Sequence, residues 1–145
     1  MITLVPFHTV GREIAQNAET HWKEAIEDVA NSSLKIDWEY FISLSQQGQC
    51  VASVLLVDNK MRGYSVYTID SDPLFKDRIE ATSQAFYIEP AFRRHAQSFL
   101  KESNEKLKEL GVKGVNYMLG NERLGKLISR IGLKQKYTVW SIDYE

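Results

Sequence analysis

Apolar positions along this chain change period several times, and each change marks an element. Ile2-Thr3-Leu4-Val5 is a short β-prone run stopped by Pro6. Beyond it Ile14, Ala15, Ala18, Trp22, Ala25, Ile26 and Val29 recur at intervals of three and four. That spacing predicts an amphipathic helix of about five turns, opening near Val10 with Thr9 as its cap. Asn31-Ser32-Ser33 ends it. Asp37 can cap a second, shorter helix with Trp38, Phe41, Ile42 and Leu44 inward, although Tyr40, Phe41 and Ile42 suit a strand equally well. Gln46-Gln47-Gly48 is a turn, and Cys50 to Val57 reads as a buried strand. Asp58-Asn59-Lys60 predicts a hairpin turn. The return strand runs from Gly63 to Ile69, with Tyr64, Val66 and Thr68 on one face and Ser65, Tyr67 and Ile69 on the other.

The second half alternates strand and helix. After a loop at Asp70-Ser71-Asp72-Pro73 comes a strand from Ile79 to Ile88. Phe92, Ala96, Phe99, Leu100, Ser103, Leu107 and Leu110 then trace a long helix that Gly111 closes in a C′ role. Val112 to Leu119 is a strand. Asn121 opens a helix with Leu124, Leu127, Ile128 and Ile131 inward, closed by Gly132, and Lys136 to Tyr144 alternates as a last strand. The order β-α-α-β-β-β-α-β-α-β predicts one α/β domain over residues 1–145. Its mixed sheet should have about six strands, carry helices on both faces and end in a right-handed β-α-β unit.

Composition narrows the function classes. At 43% hydrophobic and 26% charged residues, the chain is an ordinary globular one. It has no apolar run long enough to span a bilayer. Met1 to Pro6 lacks the basic region and apolar core of a secretory signal. The lone Cys50 and the scattered His8, His21 and His95 offer no disulfide and no metal set, and a cytoplasmic location is expected. Net charge is −1, which argues against a dedicated nucleic-acid binder. The charge is uneven: residues 1–75 carry 5 basic and 10 acidic side chains, residues 76–145 carry 13 and 9. The basic half suits an anionic ligand. It also suits a Lys-rich solvated helix face, and the two readings stand level.

The chemistry concentrates at Ile88-Glu89-Pro90-Ala91-Phe92-Arg93-Arg94-His95-Ala96-Gln97-Ser98. A strand feeding a helix N-terminus through a basic turn is a place to hold phosphate, because the helix start offers unpaired N–H groups and a positive dipole end. The stretch resembles the acyl-CoA-binding turn of the GNAT acetyltransferases, V-x-P-x-Y-R-G-x-G-x-G/A. Ile88, Pro90, Phe92 and Arg93 are in step, while Arg94, Ala96 and Ser98 stand where that pattern has glycines. A second stretch, Asn121 to Leu133, resembles the family's N-x-x-A-x-x-L-Y-x-x-x-G-F through Asn121, Leu127, Gly132 and Leu133. The order of elements is also that of the family. A looser likeness, over Val115 to Asn121 and Arg130 to Leu133, is to GNAT-like proteins of short-tailed bacteriophages.

The resemblance implies acetyl-CoA as cofactor, lying between two splayed parallel strands. Its pantetheine arm would run along Phe86, Tyr87 and Ile88. Its pyrophosphate would be cradled by Arg93, Arg94, His95, Ala96, Gln97 and Ser98, with Asn121 assisting. An amine, on a small molecule or a protein, would be the acceptor. The family's tyrosine acid falls at Ile128, and its glutamate base at Gln84 or Thr82. Glu80, Gln84 and Tyr117 are the substitutes within reach, with Tyr137 as a further phenol. The resemblance therefore leaves two functions open. One is acetyl transfer to an amine with weakened catalytic positions. The other is a catalytically silent GNAT fold used for binding, in a phage virion if the looser likeness holds, with self-assembly open in either case. Elsewhere, His21 reads as a surface residue, Cys50 as a small buried one and His95 as a solvated helix-start residue. Arg123, Lys126, Arg130, Lys134 and Lys136 read first as a solvated helix face.

Overall fold

A computed structural model describes residues 1–25, 35–118, 122–136, 140, 142 and 144. Strand β1 (Ile2–Pro6) leads through a 3-10 turn, Phe7–Thr9, into helix α1 (Gly11–Ala25). Thr9 does not cap that helix: its hydroxyl donates back to the Pro6 carbonyl at 2.7 Å, which builds the 3-10 turn instead. Ile26, Val29 and the expected stop at residues 31–33 lie outside the described residues. The helix-or-strand ambiguity after Asp37 resolves to helix α2 (Trp38–Gln46), because the Asp37 carboxylate accepts the Tyr40 N–H at 3.0 Å as an N-cap. Trp38, Phe41 and Leu44 pack inward, whereas Ile42, expected inside, is exposed.

Strands β2 (Cys50–Val57) and β3 (Lys60–Ser71) form the hairpin the sequence predicts. Asp58 and Asn59 both take positive φ, 54° and 61°, as a two-residue turn matched to strand twist requires. Strand β3 is longer than expected and absorbs Asp70 and Ser71, which pair with Glu80 and Ile79. Strand β4 (Ile79–Ile88) follows. The long helix divides: Pro90–His95 is 3-10, and α3 (Ala96–Glu109) is α-helical. Leu110, expected inward, caps α3 from an exposed position, and Gly111 ends it with φ 98°. Strand β5 is short, Gly114–Tyr117, and α4 (Glu122–Arg130) ends at Gly132, also at φ 98°.

Among the described residues the sheet has five strands in the order β1-β2-β3-β4-β5. Pairs are antiparallel from β1 to β4 and parallel between β4 and β5. The closing strand expected over Lys136–Tyr144 falls largely on 137–139, 141 and 143, outside the described residues. Strand alternation sends Cys50, Ala52, Val54, Tyr64 and Val66 to one face, where Phe7, Ile14 and the α2 aromatics cover them. Ile88, Phe99, Leu100 and Ile128 form the core of the other face, with Tyr67, Ala81, Leu107 and Val112 beside it under α3. Gly63 leaves no room for a side chain between β3 and β4: a Cβ there would lie 2.9 Å from Ile88 Cγ1 and 3.0 Å from the Tyr87 carbonyl oxygen.

Candidate functional site

The parallel pairing of β4 and β5 stops half-way. It runs Glu80↔Gly114, Ala81↔Val115, Thr82↔Asn116 and Ser83↔Tyr117. At the next residue β4 bulges. Val66 pairs with Ala85 and Tyr67 with Ser83, so Gln84 is passed over in the ladder with β3. From Gln84 to Ile88, β4 keeps β3 on one side and has no strand partner on the other among the described residues. The described ladder between the two parallel strands thus ends beside the bulge, and beyond it no described strand covers this edge of β4. Of the residues expected along a pantetheine arm, Phe86 turns toward α3 and stacks on Phe99 with ring centroids 5.9 Å apart. Tyr87 turns to the opposite face, and Ile88 is buried.

The turn after β4 is basic but internally bonded. Phe92 N–H donates to the Glu89 carbonyl at 2.8 Å, and the Ala96 N–H donates to the Arg93 carbonyl. A 3-10 turn therefore satisfies amides that an open helix start would point at phosphate. Ser98 Oγ also bonds locally, to the His95 carbonyl at 3.0 Å. Arg93 reaches back with Nε to the Ile88 carbonyl at 3.1 Å, tying the turn to the strand end. Arg94 folds onto its own turn, with Nη1 to the Ala91 carbonyl at 3.0 Å and its guanidinium 5.9 Å from the Phe92 ring centroid. Arg62 approaches the same ring at 4.9 Å and pairs with Glu89 at 3.2 Å. Gln97 is exposed, His95 and Ala96 are half-buried, and Asn121 lies outside the described residues.

On the opposite face a cavity of about 270 Å³ opens between α1, α2 and the middle of the sheet. Phe7, Ile14, Trp38 and Phe41 give it apolar walls, and Gln84 and Ala85 bring the β4 bulge to its lining. His21 and Tyr64 supply its polar core. His21 is only 6% exposed, contrary to the surface position expected for it. Its Nδ1 lies 2.9 Å from the Tyr64 hydroxyl, and its ring stacks on Tyr87 with centroids 5.3 Å apart. Burial, reinforced by nearby Tyr87, pushes the Tyr64 phenol well above its usual range and keeps it protonated. One signal for His21 lay in the sequence: it follows Ile14 and Ala18 on the same helical stripe.

The other expected catalytic residues are placed elsewhere. Glu80 stands at the far end of β4, about 26 Å along the strand from Ile88 at ~3.3 Å per residue. It accepts from Asn116 Nδ2 at 2.7 Å and Arg78 Nε at 2.6 Å, and these bonds lower its pKa. It clamps β5 onto β4 where their pairing begins. The Tyr117 hydroxyl donates to Asn104 Oδ1 at 2.8 Å and lies 2.7 Å from the Tyr67 hydroxyl. Burial drives its phenol far above the usual range. Gln84 donates to Thr68 Oγ1 at 2.9 Å and has no acid–base capacity of its own. Ile128 is buried among Phe99 and Leu100. Residue 137 is outside the described set. Among the described residues no His/Cys/Asp/Glu group could hold a metal ion, and no helix is long and apolar enough to cross a membrane.

Solved structures share the fold over nearly the whole chain. A ribosomal-protein-alanine N-acetyltransferase from Brucella melitensis biovar Abortus 2308 superposes at TM-score 0.69, with 16% identity and 99% of each chain covered. A predicted acetyltransferase with acetyl-CoA from Clostridium acetobutylicum gives 0.72 at 12% identity, covering 99% of this chain and 95% of that one. An aminoglycoside acetyltransferase from an uncultured soil metagenomic sample, in complex with sisomicin, gives 0.72 at 15% identity, covering 100% and 95%. The fold is that of the GNAT acetyltransferases. No protein-family model and no curated protein sequence matches the chain.

Proposed function

We propose that the protein transfers an acyl group from acetyl-CoA to an amine. The observation that carries this reading is that the described β4–β5 ladder ends at Ser83, beside the Gln84 bulge, and that a cavity reaches the same bulge. Acyl transfer needs the donor carbonyl and the acceptor nitrogen brought together from different directions, and a donor along the β4 edge would meet an acceptor in the cavity at that position. The chain fits the donor in two respects. The β4 edge over Phe86, Tyr87 and Ile88, which no described strand covers, would run beside the amide groups of a pantetheine arm. The cations Arg93 and Arg94, with His95, lie where phosphates would follow. With several turn amides already bonded, the side chain of Arg94 carries more of the phosphate contact than a glycine-rich cradle would ask of it. Acetyl-CoA supplies an already activated thioester, so the protein's own task is to orient both partners and to move a proton.

One observation favours a second reading, a GNAT fold that binds without catalysis. The place where the resemblance puts a tyrosine acid is Ile128, buried and unable to protonate a leaving thiolate. Incubation with acetyl-CoA and a panel of primary amines, followed by thiol release, separates the two. Amine-dependent CoA release supports transfer. Saturable acetyl-CoA binding with no release from any amine supports the binding module.

A further inference from the structure

We propose that His21, acting through the Tyr64 hydroxyl, is the catalytic base of the acceptor site, and that the site takes a primary amine carried on a small apolar, ring-containing body. This rests on the acyl-transfer reading above. The pair is buried inside the cavity: Tyr64 is 1% exposed and His21 6%, and their polar atoms meet at 2.9 Å. A buried imidazole–phenol pair beside a largely apolar space, to whose lining Lys35, Asp37 and Gln84 add polar groups, is a place where a proton can be accepted away from bulk water. The cavity also reaches Gln84 and Ala85, beside which the described β4–β5 ladder ends. The proton path is short. The Tyr64 oxygen takes a proton from the substrate ammonium while passing its own to His21 Nδ1. The freed amine attacks the thioester carbonyl carbon, so a C–N bond forms and the C–S bond breaks. The sulfur leaves with the remaining surplus proton of the attacking nitrogen. Tyr64 suits a relay rather than a base, because burial holds it neutral.

The walls select the body of the amine. Phe7, Trp38 and Phe41 form one aromatic group: Phe7 stacks on Trp38 at 6.3 Å with 5° between planes and lies 5.8 Å from Phe41. About 270 Å³ admits one ring and a short side chain rather than an aminosugar chain. Asp37 is the one carboxylate among the described lining residues, and it already accepts the Tyr40 N–H. A molecule with several ammonium groups would leave most of them unpaired there.

The test uses the full chain with 2-phenylethylamine, an aniline and sisomicin as probes. 2-Phenylethylamine should bind the protein without acetyl-CoA and shift the His21 ring signals in an NMR titration, while sisomicin should not. His21→Gln should lower turnover of 2-phenylethylamine by about 100-fold. It should lower turnover of the aniline, which carries no ammonium proton at neutral pH, by less than about tenfold. Tyr64→Phe, which keeps the ring and removes the relay, should follow the same pattern, and acetyl-CoA affinity and melting temperature of each variant establish that it is folded. Equal losses for both amines, undiminished turnover in folded variants, or preference for sisomicin would overturn the assignment. Wild-type protein that binds no acetyl-CoA would instead sink the acyl-transfer reading itself.

Discussion

Gly63→Ala should destabilise the protein through a contact the backbone cannot relieve. The new Cβ would lie 2.9 Å from Ile88 Cγ1, 3.0 Å from the Tyr87 carbonyl oxygen and 3.3 Å from Ile88 Cα. Two of these three atoms are main chain, held by the Gly63↔Ile88 and Tyr64↔Tyr87 pairs. Rotamer changes at Ile88 therefore clear only part of the clash, and Ile88 is itself buried against Phe99 and Leu100. Overpacking of this kind costs about 1–3 kcal/mol. The alanine also restricts the unfolded chain, which offsets about 0.4–1 kcal/mol. Mid-range values leave a net loss of about 1.3 kcal/mol, or a melting temperature lower by about 3–6 °C for a chain of this size. Gly125→Ala is the matched control. That glycine sits within α4 with nothing within 4 Å of its added Cβ, so the same substitution should stabilise by about 0.8–1 kcal/mol through helix propensity. Thermal and urea unfolding of both variants against wild type would measure the two signs. Gly63→Ala melting at or above wild type would refute the reasoning.

Two further outcomes follow from the buried and braced groups. Burial pushes Cys50 from 9.0 up to about 12 and raises Tyr64, Tyr67 and Tyr117 above 10.0. Above those unfolded values the unfolded chain releases protons that the folded one keeps. Stability is therefore full below pH 9 and falls as pH rises, by about 1.4 kcal/mol per pH unit for each such group. Urea midpoints at pH 8 to 11 should decline above 9 and more steeply above 10, and Cys50→Ala should flatten the first part; constant midpoints would contradict the burial argument. Glu80→Gln removes the charge shared with Arg78 and Asn116, so it should lower stability by about 1 kcal/mol while CoA release stays within about twofold of wild type. A loss of turnover of about 100-fold in a folded Glu80→Gln protein would return Glu80 to the role of base.

Much of the fold was legible because its signals are local. The Asp58-Asn59 turn, the Asp37 cap and the closing Gly111 and Gly132 each depend on a few neighbouring residues. The site was less legible because its defining events are not local. Nothing in the run Ile79–Ile88 marks Gln84 as the residue left out of register; that follows from the pairing of β3 with β4. Pro90 announces a helix start but does not distinguish i→i−3 from i→i−4 bonding, and that difference decides whether the turn's amides remain available to a phosphate. Burial of His21 depends on Tyr64 and Tyr87, 43 and 66 positions away, so its stripe position alone did not reveal its partners. Glu80 and Tyr117 carry suitable chemistry in the sequence, but the fold commits them to Arg78, Asn116, Tyr67 and Asn104.

The central proposal is that acetyl-CoA lies along the edge of β4 beyond its described ladder with β5. Amide hydrogen exchange with and without acetyl-CoA tests it by position. The account predicts the strongest slowing in the peptides spanning residues 84–98, beyond the uniform slowing that ligand stabilisation gives amides exchanging through global unfolding. Saturation of the site at about 100 times the dissociation constant should stabilise the fold by about 2.7 kcal/mol. Unchanged exchange at millimolar acetyl-CoA, or protection elsewhere with residues 84–98 unaffected, would contradict it.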